Sequence, residues 1–362
     1  MLPAYTRVVT QTLVKVGVFA ALFTVTGTLL PTRCVECKER SYDQIAIRIL
    51  STYQQALPKL PLKQQKHFCL RMYRLTGDSI WLPPVVADLH NVITTLRSDR
   101  DSLMNAGYHQ RRIDSLAADF ARETRKNRSR RVLFEGRDDI RLQLDWLYKL
   151  ATIDDYHIAD AAVSQLCREM KERLRLGHLV EFLLDTQTIT VYAAQAANAV
   201  EYLRQLGLAD IREDSRRHFL EVFPDSLDRK LDDEQFGDKV YGLTHIIISA
   251  GGYYQRLLDR REYAWILDYF SRIQNRLLNR LSADVIAEVG LCFLLCDDTE
   301  TTLVDLCRQK VAKRFDRKHG LILSPLGSYD LQIGEHRNIL AYMLFTWQGK
   351  LSPGPTINSW IR

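Results

Sequence analysis

The chain has 362 residues, enough for one large domain or two small ones. Apolar residues make up 46% and charged residues 26%, which excludes a disordered chain, and only 17 Gly and 10 Pro favour long helices over many short strands. A formal charge of +6 suits attraction to an anionic membrane surface or an acidic glycan and argues against a dedicated nucleic-acid binder.

Arg7 and Lys15 precede the apolar run 16–23, and uncharged residues continue to Thr32. A positive flank before an apolar run predicts a signal peptide or membrane anchor over residues 1–33. The run is short for a spanning helix, which needs ~20 residues, and small residues before a cleavage point are sparse around Val25-Thr26-Gly27. Cleaved signal and retained anchor both stay open. Either places residues 34–362, expected as a single helical domain, in the periplasm or tethered to the membrane facing it. Cys34 and Cys37 form a C-x-x-C suited to a disulfide or redox couple, and a metal there needs two further ligands. Most of the seven cysteines sit among apolar residues and read as small buried side chains.

From Ser41 the helical period dominates. Ile45, Ile49, Tyr53 and Leu57 make one stripe; Phe68, Met72 and Leu75 make the next, closed by Gly77. Pro83-Pro84 opens a third helix. Helices are predicted over 102–127, 138–151, 159–176 and 188–206, the last alanine-rich and therefore an inner, tightly packed one. Others follow over 240–258, 263–281, 285–295, 302–315 and 339–345. The charged stretch 213–233, with Pro224, is the best internal boundary. Arg111-Arg112 and the arginines of 122–131 read as a solvated basic face. This rhythm predicts an all-α fold of antiparallel helix pairs, closed as an (α/α) toroid or stacked as a solenoid.

Candidate chemistry lies in the C-terminal half. Tyr241-Gly242-Leu243-Thr244-His245 enters an apolar helix, where an imidazole needs a partner. Gly251-Gly252 predicts a kink or a close backbone approach. Glu288, Cys292 and Cys296 share one helix face, and Glu288 is costly among apolar neighbours unless paired. Glu335-His336 opens the last apolar helix, where an acid suits the N-terminus. Three readings stand. His245, His336 and either Glu288 or Cys292 form a zinc set with an open position. Glu288 and Glu335 act as a raised acid and its partner base, as in glycan-cleaving enzymes. Alternatively the groups are structural, with Glu288 paired to an arginine such as Arg256. Tyr241, Thr244 and Tyr254 complete the expected pocket. No phosphate loop, dinucleotide fingerprint or nucleophile elbow is present in the sequence.

Tyr241-Gly-Leu-Thr-His245 and Glu335-His336-Arg-Asn-Ile-Leu340-Ala341 resemble the Y-x-L-T-H and E-H-x-x-L-A of an uncharacterised family of bacterial proteins, a domain of unknown function. The Thr-His helix is also similar to helical toroid proteins more broadly. The resemblance covers the last third to half of the chain. It implies a bacterial helical domain and marks His245 and His336 without giving them a role. Two functions follow as expectations: an enzyme acting on an envelope glycan or similar polar molecule around His245, Glu288 and His336, or a helical scaffold binding a protein or peptide.

Overall fold

The computed structural model describes residues 32–357, with side chains from Ser41. Residues from Ser41 onward form one compact unit, and no division falls near 213–233. The expected export segment lies outside the described residues, as do the side chains of Cys34 and Cys37. Among the described residues no helix is long and apolar enough to cross a membrane.

The fold is all-α. Helices α1 (Thr32–Ala56), α2 (Leu62–Thr76) and α3 (Leu82–Ser102) follow the first three predicted stripes. Gly77 closes α2 at φ 70°, a left-handed cap that glycine adopts without strain. After α4 (Ala106–Ala117) and α5 (Arg125–Leu133) come α6 (Asp138–Asp155), α7 (Ala161–Glu172) and α8 (Leu176–Leu184). The alanine-rich α9 (Thr186–Gln205) buries Ala193, Ala196 and Ala199, as its composition predicts. Then come α10 (Arg212–Val222), α11 (Asp233–Ala250), α12 (Arg260–Arg272), α13 (Gln274–Arg280), α14 (Ala283–Leu295), α15 (Thr302–Ala312) and α16 (Leu331–Thr346).

Four expectations need correcting. The stretch 102–127 is broken: α4 ends at Ala117 and α5 starts at Arg125. The charged stretch 213–233 is not all connection, since α10 occupies its first half. The helix expected over 263–281 breaks at Ile273, whose backbone sits at φ −99°, ψ 7°. The helix expected to reach Phe315 stops at Ala312. Beyond it β1 (Phe315–Asp316) pairs antiparallel with β2 (Leu321–Ile322). Asn338 of α16 holds this hairpin, accepting from the Ile322 N–H at 2.7 Å and donating to its carbonyl at 3.2 Å.

Seven helices set the position of the site. α2 packs on α3, α3 on α6, α6 on α9, α9 on α11, α11 on α14, α14 on α16, and α16 returns to α2. The contacts among these seven helices therefore form a closed circuit. Close approach is built in. A Cβ on Gly242 of α11 would stand 2.7 Å from the Ala193 Cβ on α9, and one on Gly290 of α14 would stand 2.7 Å from Leu344 on α16.

Candidate functional site

Five of the circuit helices send polar side chains to one place. Glu288, 2% exposed in an apolar helix, is the centre. Its Oε2 accepts the Thr244 hydroxyl at 2.8 Å. Its Oε1 is approached by His245 Nε2 at 3.8 Å and His336 Nε2 at 3.5 Å. His245 Nδ1–H donates to Asn198 Oδ1 of α9 at 2.9 Å, which leaves Nε2 as the lone-pair nitrogen. That Nε2 is buried and has no hydrogen-bond partner. The Tyr241 ring stands edge-on to His245, centroids 4.4 Å apart.

A second pair adjoins the first. His67 Nδ1 of α2 lies 2.7 Å from Glu335 Oε1 of α16, and the His67 and His336 rings are 5.4 Å apart. Glu335 is a full turn inside α16 and buried, so it is not the helix N-terminal charge the sequence suggested. That place belongs to Asp330, which caps the helix through the Ile333 N–H.

Burial governs the protonation states. It pushes Glu288 up to about 8, against the Thr244 bond and with the help of Asp284 one turn earlier. Burial raises Glu335 to about 7. It lowers His245 to about 3, aided by His336, and His336 to about 4, aided by His67. His67 is held well below its usual range by the same cause. At neutral pH Glu288 is mostly protonated and Glu335 about half so, among three neutral imidazoles.

The structure thus brings together His245, Glu288, His336 and Glu335, with Tyr241 and Thr244. It leaves Cys292 out: its Sγ donates to the Thr244 carbonyl at 3.6 Å, and burial holds the thiol well above its usual range, so no thiolate is offered. The zinc set of His245, Cys292 and His336 is not assembled, and among the described residues no group of three or more His, Cys, Asp or Glu side chains is arranged for a metal. Arg256 is not the partner of Glu288; it donates to the Ala250 carbonyl and lies 3.6 Å from Glu201. Tyr254 is fully buried under the Arg71 guanidinium.

Gly251-Gly252 end α11 rather than kink it. Gly252, Tyr253 and Tyr254 follow at φ 59°, 54° and 75°, a left-handed run that costs energy at the two tyrosines. The basic stretch is only partly a solvated face. Arg112 is held by Asp99 and Asp145, and Lys126 and Arg130 line a cavity of about 550 Å³ whose wall includes Tyr241, Asp284 and His336. A second cavity, of about 310 Å³, is lined by Asn198, Tyr148, Tyr202 and Tyr253, and Gln195 borders both. Sequence reasoning missed His67, Asn198 and Asp284. The signal for His67 was its i, i+4 spacing with Arg71 beside the apolar stripe of Phe68 and Met72.

The family described as Domain of unknown function (DUF3541) matches residues 42–361, far more than the last third to half in which the resemblance was legible. No curated protein and no solved structure matches the chain.

Proposed function

The chain belongs to the family described as Domain of unknown function (DUF3541), and on that premise we propose that its helix circuit, read as toroid-like, houses a proton-transfer site acting on a polar, hydroxyl-bearing substrate such as an envelope glycan. Glu288 is the general acid. Its raised proton affinity keeps it loaded at neutral pH, as a donor to a leaving oxygen requires. Once it ionises, His245 and His336 gain a counter-charge beside them. Water attacks the sugar carbon as its bond to the leaving oxygen breaks, and the proton that this water loses is taken up at an imidazole Nε2 and passed to Glu288, His336 being the member open to solvent at 34% side-chain exposure.

The observation that carries this reading is the unpartnered, buried His245 Nε2. A buried ring nitrogen without a partner is uncommon in a packed core. Here Asn198 fixes Nδ1 and aims Nε2, empty, at a protonated carboxyl 3.8 Å away. The adjoining cavities set amides and tyrosine hydroxyls among apolar rings, a lining that can meet both the faces and the hydroxyls of a sugar. The N-terminal charge pattern supports a place of work in the periplasm or at the membrane facing it.

The test is turnover. The full chain is incubated with a panel of envelope glycans from about pH 5 to about pH 9, and new chain ends are counted. Turnover that vanishes in Glu288→Gln and in His245→Gln, both folded by circular dichroism, is the expected result. Undiminished turnover in the two variants would overturn the assignment.

A further inference from the structure

Arg71 and Arg74 stand one turn apart on α2, both buried, in opposite circumstances. Arg74 donates to the carbonyls of Gly252, Tyr253 and Gly354 and to the Asp155 carboxylate. Arg71 has no carboxylate within ion-pair distance among the described residues. Its one hydrogen bond is long, Nη1 to the His67 carbonyl at 3.4 Å, and its Nε is buried without a partner. The guanidinium lies 5.9 Å from the Tyr254 ring centroid. An arginine does not shed its charge on burial, so the site is strongly unfavourable unless something negative joins it.

The chain's own carboxyls do not fill that need. Arg71 acts electrostatically on Glu288, Glu335, His245 and His336 alike, so it borders the cluster. Both glutamates are engaged elsewhere, with Thr244 and His67. The two cavities repeat the pattern. Arg130 lines one and Arg141 the other; neither has an ion pair among the described residues, and each has a buried Nε without a partner. Arg130 lies over the Tyr192 ring at 5.3 Å and Arg141 over Phe134 at 5.0 Å. Five of the six carboxylates lining these cavities are already in ion pairs with other cations. The sixth, Asp284, is the group that helps keep Glu288 protonated.

We propose that the substrate is an acidic oligosaccharide, a chain of carboxylate-bearing sugars, with Arg71 holding the carboxylate of the sugar at Glu288 and Arg130 and Arg141 meeting those of its neighbours. The planar guanidinium fork matches a carboxylate in two parallel bonds, and the tyrosine faces match sugar rings. This inference rests on the reading of the cluster as a proton-transfer site on a saccharide.

Titration calorimetry of the full chain compares a galacturonate hexamer with a neutral glucose hexamer. The acidic hexamer is expected to bind at least about tenfold more tightly, with the preference shrinking as salt is raised. Arg71→Met removes most of that preference, and Arg71→Lys keeps part of it. Should Arg71→Met fail to fold, Arg141→Gln at the cavity wall gives the same comparison. Equal affinity for the two hexamers, no binding of the acidic one, or wild-type affinity in Arg71→Met and Arg141→Gln overturns the proposal. Acidic hexamer that binds through Arg71 but is never cleaved, in the wild type as in Glu288→Gln, sinks the acid assignment and leaves the anion site standing.

Discussion

Thr244 and Glu288, on neighbouring helices of the circuit, are joined by a 2.8 Å hydrogen bond from hydroxyl to carboxyl, and this bond opposes the burial that protonates Glu288. Thr244→Val keeps the shape and deletes the donor. It is expected to cost about 1–3 kcal/mol, the penalty of a buried acceptor left alone, and to raise the proton affinity of Glu288 further. Thr244→Ser should recover most of both. Urea unfolding gives the first quantity, and the carboxyl infrared band that disappears in Glu288→Gln gives the second. Wild-type stability together with an unmoved band in Thr244→Val would show that the hydroxyl does not serve Glu288.

The cluster sets two opposed pH limits. Glu288 and Glu335 are raised to about 8 and about 7 from an ordinary value of 4.5, so the folded chain keeps protons the unfolded chain has lost. Their contribution to stability is full below 4.5 and is lost as pH rises through 7 and 8. His245 and His336 are lowered to about 3 and about 4 from 6.5, so their contribution is full above 6.5 and is lost as pH falls. Glu288→Gln should therefore remove roughly 2–5 kcal/mol of the alkaline decline, at ~1.4 kcal/mol per tenfold in proton affinity, and leave the acid decline in place. Denaturant midpoints measured across this range decide it; an alkaline limb of unchanged depth in the variant means Glu288 is ionised in the native chain.

Much of this was legible in the residues, for identifiable reasons. Ile45, Ile49 and Tyr53 announce α1 because one face is apolar and the other charged. α10 escaped because Glu213, Asp214, Arg216 and Arg217 leave Phe219 as its single buried residue, too little for a stripe. His245, Glu288 and His336 stood out because each interrupts an apolar helix, where a polar group must have a reason. His67 did not, since α2 is rich in Lys, Gln and Arg and an imidazole is unremarkable there. Asn198 was hidden among the alanines and amides of α9. No period along the chain encodes that α16 returns to α2, and it is that closure which sets His67 beside Glu335.

Asn198 is expected to act on His245 as a positioning residue, through the choice of tautomer. Its Oδ1 accepts from Nδ1, so the hydrogen sits on Nδ1 and Nε2 stays free. Asn198→Asp offers the same acceptor with a negative charge and should raise the His245 proton affinity; Asn198→Ala removes the constraint and should let the other tautomer appear. Nitrogen-15 shifts of the His245 ring report both without any substrate. A ring whose tautomer and titration are the same in all three chains leaves Asn198 without that role.

Gly242 fixes how far α11 stands from α9, and therefore whether His245 can reach Asn198. An alanine there would place its Cβ 2.7 Å from the Ala193 Cβ and 2.9 Å from the Phe219 ring, and the first of these atoms cannot swing away. Gly242→Ala is expected to destabilise by about 1–3 kcal/mol through overpacking, despite alanine's better helix propensity. Gly237, one turn and a half earlier, meets only Leu281 at 3.8 Å, so Gly237→Ala should be neutral or stabilising. Thermal melts of the pair separate helix propensity from crowding, and two variants that both gain stability would refute the close approach.

The left-handed run at Gly252, Tyr253 and Tyr254 is maintained by Arg74. The conformation costs about 1–3 kcal/mol at each tyrosine, offset in part within the turn, where the Tyr253 N–H donates to the Ile248 carbonyl at 2.9 Å and the Gln255 side-chain amide to the Gly252 carbonyl at 2.8 Å. Arg74 Nη1 donates to the carbonyls of Gly252 and Tyr253 at 3.0 Å each, while Nη2 reaches Asp155 and Nε reaches Gly354. One buried cation thus ties the turn after α11 to the end of α6 and to the C-terminal segment. The turn carries Tyr253, whose hydroxyl accepts from Tyr202 in the cavity wall, and Tyr254, the ring beneath Arg71. Arg74→Met should cost about 3–5 kcal/mol and speed amide exchange across 251–256 by more than about tenfold, as the run relaxes toward unstrained backbone. Arg74→Lys should recover little, since a point charge cannot span acceptors on three sides. If the amides of 251–256 exchange in Arg74→Met as they do in the wild type, the turn holds itself, and the rigidity of this wall of the site has another source.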